Sequence, residues 1–212
     1  VWGLRKEPFI GVHPLNHAKE SPTKGSWQFT DAIDSWNWPG YADTKATIEV
    51  YAPGNAVRLL QNGKEIGTKG LKDFKAVFTT RYQPGTLTAE ALDAYSLSGG
   101  TGEIRLCAVP EKRTLRAGST DLCYLPIEFV DGDGKLLPTI EQPVEVLADG
   151  GVSLIGMGSA LYKTDESFLQ NHCRAYRGRA LAVLKAGSKP GKAAVTINSA
   201  GVEPVTIYLE VE

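Results

Sequence analysis

The sequence predicts an all-β protein made of two tandem immunoglobulin-like β-sandwich domains. Three observations support this fold class. Short segments alternate apolar and polar side chains, which is the period of a half-buried strand. Gly, Pro and Asn residues separate these segments at short intervals, as in a sandwich. Long helical periods are missing between them, which argues against an α/β barrel.

The composition is that of a globular protein without a strong charge bias. The chain has 212 residues, of which 42% are hydrophobic and 22% charged, and its formal net charge is -1. This length suits one large β domain or two of ordinary size. The charge balance predicts no nucleic-acid partner, and no apolar run predicts a membrane span. The first residue is Val1, without a leader, from which we expect a chain cut from something longer.

The β pattern is clearest between Ser35 and Gly67. Residues 47–51 alternate apolar and polar side chains and predict a strand. Residues 57–60 predict the next strand. Asn62-Gly63 then predicts a type I′ hairpin turn, because both central residues of that turn need a positive φ.

Further strands are predicted along the rest of the chain. Residues 9–12 predict an edge strand that ends at His13-Pro14, because Pro removes a ladder donor. The later strands are predicted at residues 74–78, 86–91, 104–110, 122–130, 144–147, 179–185, 192–198 and 205–211. Residues 98–102 contain three glycines and predict a linker. The first sandwich is therefore expected at residues 31–98 and the second at residues 103–212.

The three cysteines leave at least one free thiol. They are Cys107, Cys123 and Cys173. Cys107 and Cys123 fall on predicted neighbouring strands, so a disulfide between them is one alternative. The favoured interpretation is three buried small hydrophobic residues, since unpaired Cys is among the most buried residue types.

Four aromatic residues form the most interesting candidate site. They are Trp27, Trp36, Trp38 and Tyr41. Aromatic rings stack on the flat C–H faces of sugars, so an exposed group of them would bind carbohydrate. The same rings bury a large area when they pack in a core or at a domain junction. Packing is the favoured interpretation and a sugar surface is the alternative.

No catalytic constellation is evident among the acidic residues. Asp31, Asp34 and Asp43 lie close together in sequence near the tryptophans. A glycosidase would need two carboxylates about 5 to 10 Å apart across the scissile bond. We interpret these three instead as loop residues that initiate turns, and the sequence predicts no catalytic residue.

No metal or cofactor site is predicted either. His13 and His17 lack further ligands at zinc spacing. His172 and Cys173 are neighbours on a predicted strand, where adjacent side chains face opposite ways. Residues 131–134 read Asp-Gly-Asp-Gly and lack the later Glu of a calcium loop, so they predict a plain turn.

Several motifs in order along the chain resemble one enzyme family. They are the opening Trp2-Gly3-Leu4-Arg5, the Trp36-Asn37-Trp38 segment, the run from Leu59 to Gly67, the run from Leu115 to Gly134, and Gly156-Met157-Gly158 followed by Tyr176-Arg177-Gly178-Arg179. Together they resemble the C-terminal β-sandwich domains of bacterial β-galactosidase-like enzymes of glycoside hydrolase family 2. Ser159-Ala160 departs from the family pattern, which has Asn-Gly at this place.

The resemblance implies an accessory role beside a catalytic barrel. Residues 1–30 would be the lead-in from that barrel in the same parent chain. The parent would be a retaining β-glycosidase whose Glu pair lies upstream, so this part alone would be inactive. Carbohydrate is the further expected partner, and the alternative function is a carbohydrate-binding module that uses the tryptophan region. A bacterial periplasmic or secreted location is favoured, and no cofactor is implied.

Overall fold

The computed structural model describes residues 7–17, 30–91, 94–100 and 102–212, without the Tyr95 side chain. The chain divides into two compact units, which we call unit 1 (Val1–Thr101) and unit 2 (Gly102–Glu212). All regular elements of the described residues are strands, which confirms the all-β prediction. The immunoglobulin-like topology and the domain bounds 31–98 and 103–212 stay predictions. The described residues include no helix with the length and apolar character that crossing a membrane requires.

Unit 1 consists of two antiparallel sheets around one core. Its strands are β1 (Phe9–Val12), β2 (Lys45–Tyr51), β3 (Ala56–Gln61), β4 (Lys64–Gly70), β5 (Lys75–Arg81), β6 (Thr86–Glu90) and β7 (Ala94–Ser98). The sheets have the orders β1-β2-β5 and β4-β3-β6-β7. Ile10 and Ile48 from the first sheet and Leu59 and Leu87 from the second belong to the same buried cluster. The two sheets therefore form a sandwich with its core between them.

The local patterns of unit 1 fold as the sequence predicts. In β2, Ile48 and Val50 are fully buried, in line with the alternation. The β3–β4 hairpin turns at Asn62 and Gly63, whose φ angles are 52° and 77°. β1 is an edge strand that pairs with β2, and it ends before His13.

Part of the predicted linker is fixed within unit 1. The Gly99 N–H donates to the Gly85 carbonyl at 2.7 Å, and the Gly100 N–H donates to Asn37 Oδ1 at 3.3 Å. A Cβ at Gly99 would lie 2.9 Å from the Trp36 carbonyl oxygen. Gly99 thus permits a close backbone approach rather than chain flexibility, which the composition alone did not reveal.

Unit 2 also consists of two sheets around one core. Its strands are β8 (Arg105–Ala108), β9 (Thr114–Leu115), β10 (Leu122–Val130), β11 (Pro143–Gly150), β12 (Val152–Gly158), β13 (His172–Arg174), β14 (Arg179–Ala186), β15 (Gly191–Ser199) and β16 (Val202–Val211). The sheets have the orders β12-β14-β10-β8 and β13-β11-β15-β16-β9. Strands β9 and β16 pair in parallel, and the other strand pairs are antiparallel. Leu125, Phe129, Val144 and Ile197 are among the fully buried residues of the core.

Pro126 lies within β10 and does not interrupt it. On one side it pairs with Leu181 of β14. On the other side, β8 pairs only as far as Ile127. The Tyr124 carbonyl accepts from the Glu111 N–H, so this side of the strand borders a loop rather than a ladder. The strand therefore loses no ladder bond at Pro126.

A strained turn joins Lys72 to β5. Asp73 and Phe74 both have positive φ angles, 52° and 62°. Lys72 and Lys75 exchange two backbone hydrogen bonds across them, at 2.9 and 3.0 Å. A two-residue turn with positive φ at both positions favours the sequence Asn-Gly. The Phe74 side chain is 52% exposed, so core packing does not compensate for the strain.

Replacing this turn by Asn-Gly is expected to stabilise unit 1. An L-residue in the left-handed region costs about 1–2 kcal/mol, so Asp73→Asn with Phe74→Gly should raise the free energy of unfolding by about 1 kcal/mol after the entropy cost of Gly. Urea unfolding followed by tryptophan fluorescence measures the unfolding free energy of unit 1. The signal reports on this unit because all four tryptophans, Trp2, Trp27, Trp36 and Trp38, precede unit 2.

Gly63→Ala is the matched control for this turn. It places a side chain at a positive φ and should lower the same free energy by about 1 kcal/mol. A double variant at residues 73 and 74 that is no more stable than the original chain would contradict the strain argument.

Candidate functional site

Trp36 and Trp38 lie in the core of unit 1. Their exposed fractions are 1% and 0%, and both belong to its buried cluster. Residues 35–38 are not a strand, yet they bring two indoles into one core. This burial supports the packing interpretation, since neither ring face is available to a sugar at the surface.

Hydrogen bonds hold this tryptophan segment in place. The Trp38 N–H donates to the Tyr82 hydroxyl at 3.1 Å, and the Trp36 indole N–H donates to the Gln83 carbonyl at 3.2 Å. The Trp36 and Tyr82 rings meet edge to face with centroids 4.8 Å apart. Burial raises the pKa of the Tyr82 phenol, against the effect of the hydrogen bond from Trp38. Tyr82 therefore remains a neutral structural partner.

The other two aromatic candidates differ from this pair. Tyr41 is half-buried and packs against the same core, and its N–H donates to the Trp38 carbonyl at 3.2 Å. Trp27 lies outside the described residues. The structure thus brings Trp36, Trp38 and Tyr41 together, in a packed arrangement.

A buried carboxylate network lies on the other face of the β1-β2-β5 sheet. Its centre is Glu49, which is 6% exposed. Lys75 Nζ and Tyr51 Oη donate to its two oxygens at 2.7 and 2.6 Å. His13 Nε2 lies 3.1 Å from Glu49 Oε1, and His13 Nδ1 lies 2.5 Å from Asp31 Oδ1. The network ties the residues after β1 to β2 and β5.

The surroundings of Glu49 favour its ionised form. Burial alone would raise its pKa, but hydrogen bonds from four side chains outweigh burial and lower the pKa from the ordinary 4.5 to about 2. In decreasing order of effect, the donors are Lys75, Tyr51, Thr30 and His13. A carboxylate saturated in this way is suited to structural support rather than to proton transfer at neutral pH.

The three aspartates near the tryptophans have different surroundings. Asp31 contacts His13, as described above, and Asp34 is exposed. Asp43 has a φ of 63° and accepts from Gln83 Nε2 at 2.5 Å. The turn interpretation fits Asp43, and it did not anticipate the contact of Asp31 with His13.

Potential metal ligands do not converge in the described part of the chain, where no group of three His, Cys, Asp or Glu side chains could hold an ion. The Asp-Gly-Asp-Gly run is a turn, as predicted. Asp131 Oδ1 accepts from the N–H groups of Asp133 and Lys135, both at 2.9 Å. This carboxylate oxygen is therefore engaged with the backbone of its own turn.

The cysteines are all free. Cys107 pairs with Glu128 across the sheet, five residues along β10 from Cys123. This offset corresponds to about 17 Å along a strand, so the alternative of a Cys107–Cys123 disulfide is wrong. Burial, with a smaller effect from Glu166, raises the pKa of Cys173 to about 11. Cys173 is buried while His172 is exposed, which confirms that they face opposite ways.

A groove of about 580 Å³ lies on the outer face of the β12-β14-β10-β8 sheet in unit 2. Pro126, Phe168, Leu181 and Val183 give it apolar walls, and the backbone from Gly156 to Gly158 forms part of its lining. Arg179 is its charged residue. We call it the β12–β14 groove.

Sequence reasoning did not identify the Glu49 network or the β12–β14 groove. Glu49 looks like any outward residue of an alternating strand, and its partners come from the residues after β1, from β2 and from β5. The sequence gives one weak indication of the groove. In Gly156-Met157-Gly158, two outward positions lack side chains. Only the loop that brings Phe168 against Gly158 turns these positions into a groove.

Both units match known families. Residues 106–208 match the family model described as glycoside hydrolase family 2 C-terminal domain 5. Residues 43–95 match a model described as a domain of unknown function. A curated relative, beta-galactosidase BoGH2A of Bacteroides ovatus, is 28% identical over 188 residues. The match covers 84% of this chain and 22% of that protein.

Solved structures match along nearly the whole chain. A glycosyl hydrolase family 2 member from Bacteroides cellulosilyticus has a TM-score of 0.84 at 26% identity. The match covers 97% of this chain and 28% of that one. A beta-glycosidase from Bacteroides vulgatus shares the fold with a TM-score of 0.76 at 18% identity, over 98% of this chain and 25% of that one. The chain thus spans about a quarter of the length of these relatives.

Removal of the Tyr82 hydroxyl is expected to destabilise unit 1. Tyr82→Phe leaves the buried Trp38 N–H without its acceptor, which should cost about 1–3 kcal/mol of unfolding free energy. Tyr41→Phe is the control, because its ring is half-buried in the same unit and the described contacts include no hydroxyl bond. Equal losses in the two variants on urea unfolding would contradict a specific role for Tyr82.

Unit 1 should lose stability in acid because of Glu49. Its pKa is lower in the folded chain than in the unfolded one, so its contribution is complete above about pH 4.5 and disappears as the pH falls towards 2. The full effect is about 3 kcal/mol. Tryptophan-monitored unfolding of Glu49→Gln should show a shallower acid loss, with Glu203→Gln in unit 2 as the control. If the unfolding free energies of Glu49→Gln and the original chain fall in parallel as the pH is lowered, Glu49 does not cause the acid loss of stability.

Proposed function

We propose that this chain is a non-catalytic accessory region of a β-galactosidase-like enzyme, because residues 106–208 match the family model of a glycoside hydrolase family 2 C-terminal domain. Its role is to support the catalytic domain of the same polypeptide in carbohydrate breakdown. The match to a family 2 structure over 97% of the chain carries this proposal, because it includes both units in one continuous region.

The length of the relatives supports an accessory role. The curated relative and the solved structures are several times longer than this chain. In such proteins, a catalytic domain accounts for part of the remaining length. We therefore propose a catalytic barrel as the partner, which acts within the same polypeptide.

The chemistry of the β12–β14 groove also supports a non-catalytic role. Glycoside hydrolysis uses two carboxylates on either side of the bond. The lining of the groove includes neither Asp nor Glu. Glu128, which bonds to Arg179 beside the groove, is a single carboxylate. This arrangement suits contact with a surface or a ligand better than bond cleavage.

The packing of the tryptophans fits a scaffold. Trp36 and Trp38 fill the core of unit 1 and do not form an exposed platform. The alternative of a carbohydrate-binding module that uses Trp27, Trp36 and Trp38 would need these rings at the surface. The observed burial favours the accessory region over that alternative.

The intact polypeptide tests the proposal. Antibodies against residues 102–212 should detect, in cells that express the gene, a protein several times larger than 22.8 kDa. That protein should hydrolyse 4-nitrophenyl β-D-galactoside, and the isolated 212-residue chain should not. Deletion of residues 102–212 should lower the melting temperature of the intact enzyme.

A matched variant distinguishes the loss of a supporting domain from the general effect of altering unit 2. Tyr208→Ala removes an exposed ring of unit 2 and should leave the activity and melting temperature of the intact enzyme unchanged. The proposal fails if cells contain only the 212-residue protein. It also fails if the isolated chain hydrolyses the galactoside, or if the deletion leaves the melting temperature unchanged.

A further inference from the structure

We propose that the β12–β14 groove of unit 2 binds carbohydrate, with room for one or two pyranose rings. Phe168 and Leu181 would contact the C–H face of the sugar, while Arg179 and Glu128 would bond to adjacent hydroxyls. The choice of carbohydrate as the ligand class rests on the proposed function. The site differs from the buried tryptophan segment of unit 1.

The outer face of this sheet has an unusual composition. An antiparallel sheet with one face on a core normally presents polar side chains on the other. Here Tyr124, Pro126 and Leu181 point outward from neighbouring strands, and Tyr124 and Leu181 are 45% and 40% exposed. Their neighbours along the strands, such as Leu125 and Ala182, are fully buried. An exposed apolar patch of this kind marks a binding surface.

The local fold gives this face a concave shape. Met157 points into the core, so Gly156 and Gly158 occupy outward positions without side chains. The Met157 N–H donates to the Phe168 carbonyl at 2.8 Å, which fixes the loop beside β12. A Cβ at Gly158 would lie 2.6 Å from the Phe168 ring. The missing side chain thus lets Phe168 form a wall of the groove, with its ring 59% exposed.

A polar pair lies at one end of the groove. Arg179 and Glu128 are cross-strand partners, and Arg179 Nε donates to Glu128 Oε1 at 2.9 Å. In the described contacts, both Nη groups of Arg179 and the second oxygen of Glu128 make no other hydrogen bond. They supply donors and an acceptor side by side, which matches two adjacent hydroxyls.

Size and chemistry together favour a sugar over a purely apolar partner. The volume of about 580 Å³ falls in the range of small-molecule sites, which combine apolar walls with a few polar groups. A pyranose has an apolar C–H face and a rim of hydroxyls, so it can use both parts of the groove. A purely apolar protein surface would bury the Nη groups of Arg179 and the second oxygen of Glu128 without hydrogen-bond partners.

Binding of defined sugars to the 212-residue chain tests this inference. The probes are methyl β-D-galactopyranoside, lactose and cellobiose, titrated by NMR and calorimetry. Saturable binding in about the millimolar range is expected for at least one probe. Phe168→Ala should weaken it about tenfold, which corresponds to the loss of one aromatic contact. Arg179→Met, which keeps an apolar stem, should weaken it similarly.

Tyr208→Ala is the matched control, because it removes a similarly exposed ring from the other sheet of unit 2. It should leave the affinity unchanged, and thermal unfolding should show that all variants are folded. The inference is overturned if no probe saturates, or if Phe168→Ala binds as well as the original chain. It is also overturned if Phe168→Ala only abolishes self-association, which would make the groove a protein-docking surface. The intact-enzyme experiment does not depend on these titrations, so the two proposals can fail separately.

Discussion

Unit 1 depends on the hydrogen bond that the Trp38 N–H donates to the Tyr82 hydroxyl. Residues 35–38 have no strand partners, so side chains and isolated backbone groups must satisfy their polar atoms. Tyr82 and Gln83, which follow β5, and Gly100, which follows β7, supply some of these partners. With them in place, two indoles fill the space between the sheets. Without them, the largest side chains of the core would have no fixed position, and both sheets would lose their common packing surface.

The two units use their outer sheet faces in opposite ways. On the β1-β2-β5 sheet of unit 1, a carboxylate is buried under its own donors, and the network is complete without a ligand. On the β12-β14-β10-β8 sheet of unit 2, apolar side chains remain exposed beside an ion pair with spare hydrogen-bonding atoms. Polar groups whose hydrogen bonds are all made within the protein rigidify a surface, whereas exposed apolar groups can bind a ligand or another surface. The structure therefore directs the search for recognition to unit 2.

Local patterns predicted most of the strands, because alternation and turn chemistry act over a few residues. The hairpin at Asn62-Gly63 and the strand at 179–185 are examples. The missed features all depend on distant residues. Gly99 looked like a linker residue, but its role is a close approach to Trp36. The register that separates Cys107 from Cys123 depends on where β8 meets β10. The low pKa of Glu49 depends on Lys75, Thr30 and His13 outside β2 as well as on Tyr51 within it, and no local pattern encodes this combination.

The parallel pairing of β9 with β16 has a consequence for synthesis on the ribosome. Thr114 and Leu115 find their partners only at Glu210 and Val211, and β16 lies between β15 and β9 in the sheet. Until this last strand emerges, β15 has an unpaired edge and the core of unit 2 is open on one side. Unit 2 can therefore complete its fold only after residues 202–211 have emerged from the ribosome. In this interval a nascent chain is most exposed to aggregation and most in need of a chaperone.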